Sequence, residues 1–246
     1  MTVELEIVTA SGRPDLNDEA AAAFRERWPA FIFHDQIPPQ YISRVNDYFA
    51  DFDILVLADG GVAAGGWGVP FVWDGTLADL PDGYDSTLVR SVADHEARRT
   101  PSAFSFMAAA VHPDHDRQGL AAAVLSALVE RATAAGIDRV VAPIRPTWKS
   151  RYPNVPMSEY ASWVRDDGLS IDPWIRTHQR MGARILQVAP SSMVIPGTVH
   201  EWQQWADMPF PVSGEYVVPD ALNLLVVDRE TDTAVYREEN LWMRHR

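Results

Sequence analysis

The string Asp116-Arg117-Gln118-Gly119-Leu120-Ala121 lies between an apolar run and an alanine-rich amphipathic one. Residues of these types in this order can hold an anion. A helix N-terminus offers backbone N–H groups without intrahelical partners and the positive end of the helix dipole. Glycine at that point lets an anion approach the backbone, and small Ala121, Ala122 and Ala123 keep the approach open. The physical reading is a pyrophosphate-binding turn; Gly119 also suits a plain tight turn. With a single glycine the string is not a dinucleotide fingerprint, and without Gly-Lys-Ser/Thr it is not a Walker loop. His112, His115 and Asp116 bear metal-ligand side chains, but Pro113 interrupts them and they coincide with the anion turn, so no metal is expected. The absence of cysteine excludes disulfides, thiolate metal sites and a cysteine nucleophile.

The elements around this turn follow from periodicity. Residues 104–111 read as a buried strand, and the turn at 112–118 leads into a helix from Gly119 to Ala135 that ends at Gly136. In that helix Leu120, Val124, Leu128 and Ala132 recur every four residues, a stripe widened by Leu125 and Val129. Residues 139–144 form a further strand, in which Pro143 cannot donate to a ladder, so the strand is an edge there or splays from its neighbour. Upstream, strands are expected at 3–9, 53–58 and 62–73, the last two joined across Asp59-Gly60-Gly61 as a hairpin. Helices are expected from Asp18, a plausible N-cap, to Trp28, over 40–50 and over 87–99. Downstream, 146–171 is irregular and aromatic, and Asp172 caps a short helix over 173–181 with Pro173 at its first position. A strand at 183–189, a helix at 199–206 and short strands at 215–218, 223–228 and 234–236 complete the chain. Interleaved strands and helices make the class α/β or α+β.

With 21 Lys and Arg against 34 Asp and Glu, the 246 residues carry −13 formal charges, which argues against nucleic acid as a partner. No apolar run of the length that spans a bilayer occurs, and the acidic, alternating start is not a targeting signal, so a cytoplasmic location is expected.

The string Val111-His112-Pro113-Asp114-His115-Asp116-Arg117-Gln118-Gly119-Leu120-Ala121 resembles motif A of the GNAT superfamily of acyl-CoA-dependent N-acetyltransferases, in which a strand ends in V-x-P and R/Q-x-x-G-x-G/A runs into a helix. The resemblance covers about residues 104–145, with a weaker echo at 172–190. It implies a mixed, mostly antiparallel sheet splayed at the cofactor cleft and flanked by helices. Residues 1–195 would form the GNAT-like domain and 196–246 a C-terminal extension packed on it. It implies that amides of Arg117, Gln118, Gly119, Leu120 and Ala121 bind the CoA pyrophosphate, and that the strand ending at Val111 pairs with the pantetheine amides. Asp116 stands where the family usually has Arg or Gln, and Arg117 is expected to supply the compensating charge. The co-substrate would be acetyl-CoA or another acyl-CoA.

Many GNAT enzymes carry Y-x-x-x-G-F on a helix, with the tyrosine protonating the departing thiolate. Anchored on Gly182, the tyrosine position here is His178 and the phenylalanine position Ala183. A histidine near neutrality can hold or lose that proton. Tyr152 and Tyr160 are alternative acids, and Trp67 a candidate lining the acyl pocket. Thr147, across the expected cleft, could pair its hydroxyl with His178 as in GNAT-like polyketide loading domains and malonyl-CoA decarboxylases. Three functions follow. The first is acyl transfer to an amine by direct attack, with His178 as acid and a backbone N–H of the splayed strand on the oxyanion. The second is decarboxylation with S-acyl transfer to a carrier-protein thiol, using Thr147 and His178. The third is a catalytically silent CoA-binding regulator. The tryptophans suit a substrate tunnel and a homodimer interface alike.

Overall fold

The computed structural model describes residues 5–116 and 118–245. Its strands are β1 (Leu5–Thr9), β2 (Asp53–Ala58), β3 (Gly61–Phe71), β4 (Ala103–Val111), β5 (Arg139–Ile144), β6 (Arg184–Gly197), β7 (Gly214–Tyr216), β8 (Leu225–Asp228) and β9 (Thr233–Arg244). The helices are α1 (Asn17–Arg25), α2 (Pro38–Tyr48), α3 (Tyr84–Glu96), α4 (Leu120–Ala134), α5 (Met157–Tyr160), α6 (Pro173–Arg180) and α7 (Val199–Ala206). The strands form one sheet in the order β1-β2-β3-β4-β5-β9-β8-β7, with β6 also paired to β9. All pairings are antiparallel except β4 with β5. This is the mixed, mostly antiparallel sheet that the resemblance implies.

The stripe on α4 does what its spacing predicts. Leu120, Val124, Leu128 and Ala132 are all buried, packed with Ile54, Val56 and Phe104 of the sheet and with Ile175 of α6. Val45 of α2 and Leu88 and Val92 of α3 meet Val69 and Met107 in a separate cluster. In β3, Gly66 lets α4 come close: a Cβ there would run into the Ala108 carbonyl and a Val124 methyl.

β4 and β5 pair over only three positions, Ala103 with Arg139 through Ser105 with Val141. Two features open the sheet beyond them. The β3–β4 register shifts at Trp67/Gly68, leaving Met107 as an extra residue that bends β4. On β5, the Val140 carbonyl accepts from the His245 N–H at 2.8 Å, so Val140, Ala142 and Ile144 direct their peptide groups to β9, and Pro143 turns toward β4. It has no N–H to give there. The splay expected at Pro143 is present, and on its other side β5 is covered by β9.

The late strands exceed their expected lengths. β9 runs for 12 residues rather than three and lies inside the sheet, and β6 runs for 14 rather than seven. The expected division at residue 195 falls within β6. The polar residues Arg237, Glu238, Glu239 and Asn240 interrupt the apolar pattern of β9, and β5 and β6 cover it on either side at its C-terminal end. At the other end of the sheet, Asp18 sits within the first turn of α1 rather than capping it, because a 3-10 turn at Pro14–Leu16 leads straight into the helix.

Gly66→Ala is expected to destabilise the protein by about 1–3 kcal/mol, the usual cost of overpacking. A lower urea midpoint at unchanged m-value would register it.

Candidate active site

The turn before α4 has the geometry of an anion cradle. Gly119 caps the helix in the left-handed region at φ 81°, where a side chain is strained, and a Cβ there would meet nothing within 4 Å. The Ala123 N–H bonds back to the Gly119 carbonyl at 3.2 Å, and no earlier amide from Gln118 on has a backbone partner among the described residues. Gln118 and Gly119 are exposed, Ala121 half-exposed, and Leu120 buried as an anchor. Arg117 lies outside the described residues. The charge of Asp116 is met from elsewhere in the chain: Arg27 Nη2 pairs with its Oδ1 at 2.7 Å and Arg27 Nε donates to the Val111 carbonyl at 2.8 Å. One guanidinium thus offsets the carboxylate and fixes the end of β4. The open cradle and the unpaired edge of β4 beyond Ser105 fit an acyl-CoA, its diphosphate on the turn and its pantetheine arm along the strand.

Where β4 and β5 part, a cavity of about 490 Å³ opens between them. Phe106, Met107 and Ala108 of β4 and Ala142 and Pro143 of β5 line it, and Trp67 of β3 lies on its wall. His178 lines it too, from α6.

His178 is placed by the carboxylate of Asp172, which is fully buried. Its Oδ1 accepts from Trp174 N at 2.8 Å and Ile175 N at 3.1 Å, the helix cap that the sequence predicts. The same carboxylate accepts from Trp148 N at 2.7 Å, Thr147 N at 3.3 Å and the Tyr160 hydroxyl at 2.8 Å. It therefore binds the exit of β5 to the start of α6. The Tyr160 hydroxyl is spent on this bond, and Tyr152 is exposed. The Thr147 side chain is exposed and is not among the residues that line the cavity, so Thr147 and His178 are not brought together there.

His178 is 1% exposed. Its Nδ1 lies 2.7 Å from Nε2 of His245, a residue for which the sequence pattern gives no signal. Its Nε2 is buried with no hydrogen-bond partner. Burial, reinforced by the charge of His245, pushes the His178 imidazole down to about 3, and burial alone pushes His245 to about 4. Both rings are therefore neutral at pH 7, and His178 does not enter a reaction as a ready imidazolium acid.

The far wall of the cavity carries charge. Glu238 of β9 is fully buried and pairs with Arg145 Nε at 3.1 Å; it also accepts from the Tyr236 hydroxyl at 2.7 Å and Asn240 Nδ2 at 3.0 Å. Asp35, just before α2, is 3% exposed and also lines the cavity. Sequence reasoning misses both acids. One signal exists: Ala234, Tyr236, Glu238, Asn240 and Trp242 are all buried at a period of two, so Glu238 stands in register with core residues.

A splayed sheet, an amide cradle at a helix start and a buried histidine at the fork define a site for acyl transfer from a CoA thioester. Comparison with known proteins agrees. Residues 20–150 match the model of the Acetyltransferase (GNAT) family. The arginine N-acetyltransferase avaD of Aspergillus versicolor is 30% identical over 269 residues, spanning 96% of this chain and 92% of that protein. Among solved structures, the loading GNATL domain of CurA from Lyngbya majuscula superposes with a TM-score of 0.59 at 15% identity, covering 99% of this chain and 97% of that one. The GphF GNAT-like decarboxylase in complex with isobutyryl-CoA gives 0.55 at 16% identity, covering 99% and 100%. The chain belongs to the GNAT acetyltransferase family, enzymes that move an acyl group from acyl-CoA to an amine. Among the described residues no helix is long and apolar enough to cross a membrane.

The two neutral histidines make stability depend on pH. His178 binds a proton near its ordinary 6.5 when unfolded but only near 3 when folded, so the unfolded chain holds more protons between these values. Stability is expected to be full above about pH 6.5 and to fall on acidification by about 1.4 kcal/mol per pH unit from His178. Urea titrations at pH 7, 6 and 5 would show the fall, and His178→Gln would make it shallower.

Proposed function

We propose that the protein transfers the acetyl group of acetyl-CoA to the amino group of arginine or a closely related cationic amine, with His178 as the group that moves the proton. The observation that carries this reading is the buried, unpartnered Nε2 of His178 on the wall of the cavity at the fork of the sheet. The acceptor is suggested by the arginine N-acetyltransferase that resembles the chain over 96% of its length, and by carboxylates on the cavity wall.

With Nδ1–H donated to Nε2 of His245, His178 keeps the lone pair of its own Nε2, which has no partner in the protein, free to take a proton. His245 thereby fixes the tautomer and acts as a positioning residue. As the amine attacks the thioester carbonyl, the C–N bond forms and the nitrogen becomes strongly acidic. His178 takes that proton. The imidazolium then delivers it to the sulfur as the C–S bond breaks, so one histidine serves first as base and then as acid. The depressed basicity of the resting ring is offset at that moment by the negative charge that develops on the oxygen and sulfur in the same low-dielectric cavity. The acid role expected at this position is kept, in a second step. Gly119 and the α4 amides hold the CoA end, and the apolar wall keeps water from the thioester.

His178→Ala is expected to lower kcat by about 10²–10⁴, the usual contribution of a positioned acid–base group, with CoA affinity within about twofold of the parent. His245→Phe should lower kcat less and move the acidic limb of the pH–rate profile, because it frees the tautomer without removing the base. Steady-state rates with arginine over pH 5–9 and calorimetric titration with CoA would test both. Unchanged kcat in His178→Ala would remove the residue from the mechanism.

A further inference from the structure

The cavity contains a charge that the chemistry at His178 does not use. Asp35 Oδ1 accepts from the Ile37 amide at 2.9 Å, while Oδ2 is buried with no hydrogen-bond partner. Beside it stands Asp85, in the first turn of α3, whose Oδ1 is also buried without a partner and whose carboxylate is met by the Val194 amide. The two carboxyl groups are close enough for each to act on the other's ionisation.

The charged and titratable groups around the pair do not neutralise it. Glu238, from β9, adds a third negative group, and its own charge is matched by Arg145. Arg145 is committed on its other side as well, with Nη2 on the Asp220 carbonyl at 2.6 Å. Tyr84, next to Asp85 in α3, has its phenol pushed up by burial and by these two aspartates. His178, elsewhere on the cavity wall, is neutral at pH 7. Among the described residues, neither aspartate is in an ion pair. Two adjacent carboxylates in a dry site do not both stay ionised unless a cation joins them. Without one they share a proton: burial and the charge of Asp35 push Asp85 up to about 8.

We infer that Asp35, with Asp85 behind it, forms the subsite for the cationic head of the acceptor, and that the pair selects a guanidinium over a neutral group of the same shape. The inference rests on the amine-acetyltransferase reading and assigns the end of the substrate that does not react. A guanidinium presents several N–H donors in one plane, which suits the Asp35 oxygen that lacks a partner, and its charge offsets the neighbouring Asp85 as well. Trp28, Phe33, Trp67 and Tyr84 line the same cavity and supply aromatic surface on which a planar cation is stabilised. Its apolar wall, which includes Ile42 and Pro39, accommodates a methylene chain between the two ends. Docking of the cation displaces the shared proton to solvent, so binding and proton release are coupled.

The test is calorimetric titration of the full chain with L-arginine and with L-citrulline, whose neutral ureido group has nearly the same shape. Each is run in phosphate and in Tris at pH 7, and acetyl transfer to each amino acid is assayed in parallel. The parent protein is expected to bind arginine at least tenfold more tightly than citrulline, with an arginine enthalpy that differs between buffers because a proton is released. Asp35→Asn and Asp85→Asn, shown to be folded by circular dichroism and by retained CoA binding, should bring the preference to about one and abolish the buffer dependence. Equal binding of the two ligands by the parent, no binding of either, or a preference that survives in folded Asp35→Asn would overturn the assignment. Arginine that binds with the expected preference but is not acetylated would leave the subsite standing and refute arginine as the acceptor.

Discussion

The candidate site depends first on the buried carboxylate of Asp172. Five donors converge on it: two amides that open α6, two amides from the exit of β5, and the hydroxyl of Tyr160. An ordinary helix cap satisfies one or two orphan amides and is worth about 0.5–2 kcal/mol. This one also fixes where the helix begins relative to the strand beside it. Since α6 is only eight residues long, fixing its first turn fixes its last, and His178 lies in that last turn. The His178 ring is thus positioned by a carboxylate six residues away.

A second constraint is the incomplete pairing of β4 with β5. Three ladder positions hold the strands together, and beyond them a bulge on β4 and the missing amide of Pro143 let them diverge. In a closed sheet such a gap would leave backbone groups unsatisfied. Here the gap leaves an edge of β4 open to a ligand, and its inner end widens into the cavity. β9 covers the far side of β5 and keeps the strand from fraying, so the opening is confined to one edge.

Low dielectric links the two ends of that cavity. At the fork it strips the proton from His178 and leaves a neutral ring able to receive one. On the far wall it drives carboxyl groups toward protonation unless a cation accompanies them. Glu238 shows the satisfied form of the same condition: with a guanidinium, a phenol and an amide around it, all of its capacity is used inside the protein. Asp35, which lines the cavity, retains an oxygen with no partner.

Much of this was legible in the sequence because its causes are local. A glycine before an alanine-rich stripe marks the turn into α4, Asp172-Pro173 marks the start of α6, and a proline within an apolar run marks the opening of the sheet. Each states a property of its own backbone: a free amide, a capped end, a missing donor. The family motif singled out the position of His178. Tertiary structure alone brought His245 beneath that ring from 67 residues further along, set Arg27 against Asp116, and turned Thr147 to the surface. It also drew the last strand into the interior of the sheet, although polar residues break its apolar pattern, because neighbours on both sides supply the hydrogen bonds that the pattern does not announce. Asp35, Asp85 and Glu238 are separated in sequence by 50 and 153 residues, and nothing in their spacing relates them. Their meeting follows from the packing of α2, α3 and β9, and a shared environment of that kind has no signature along the chain.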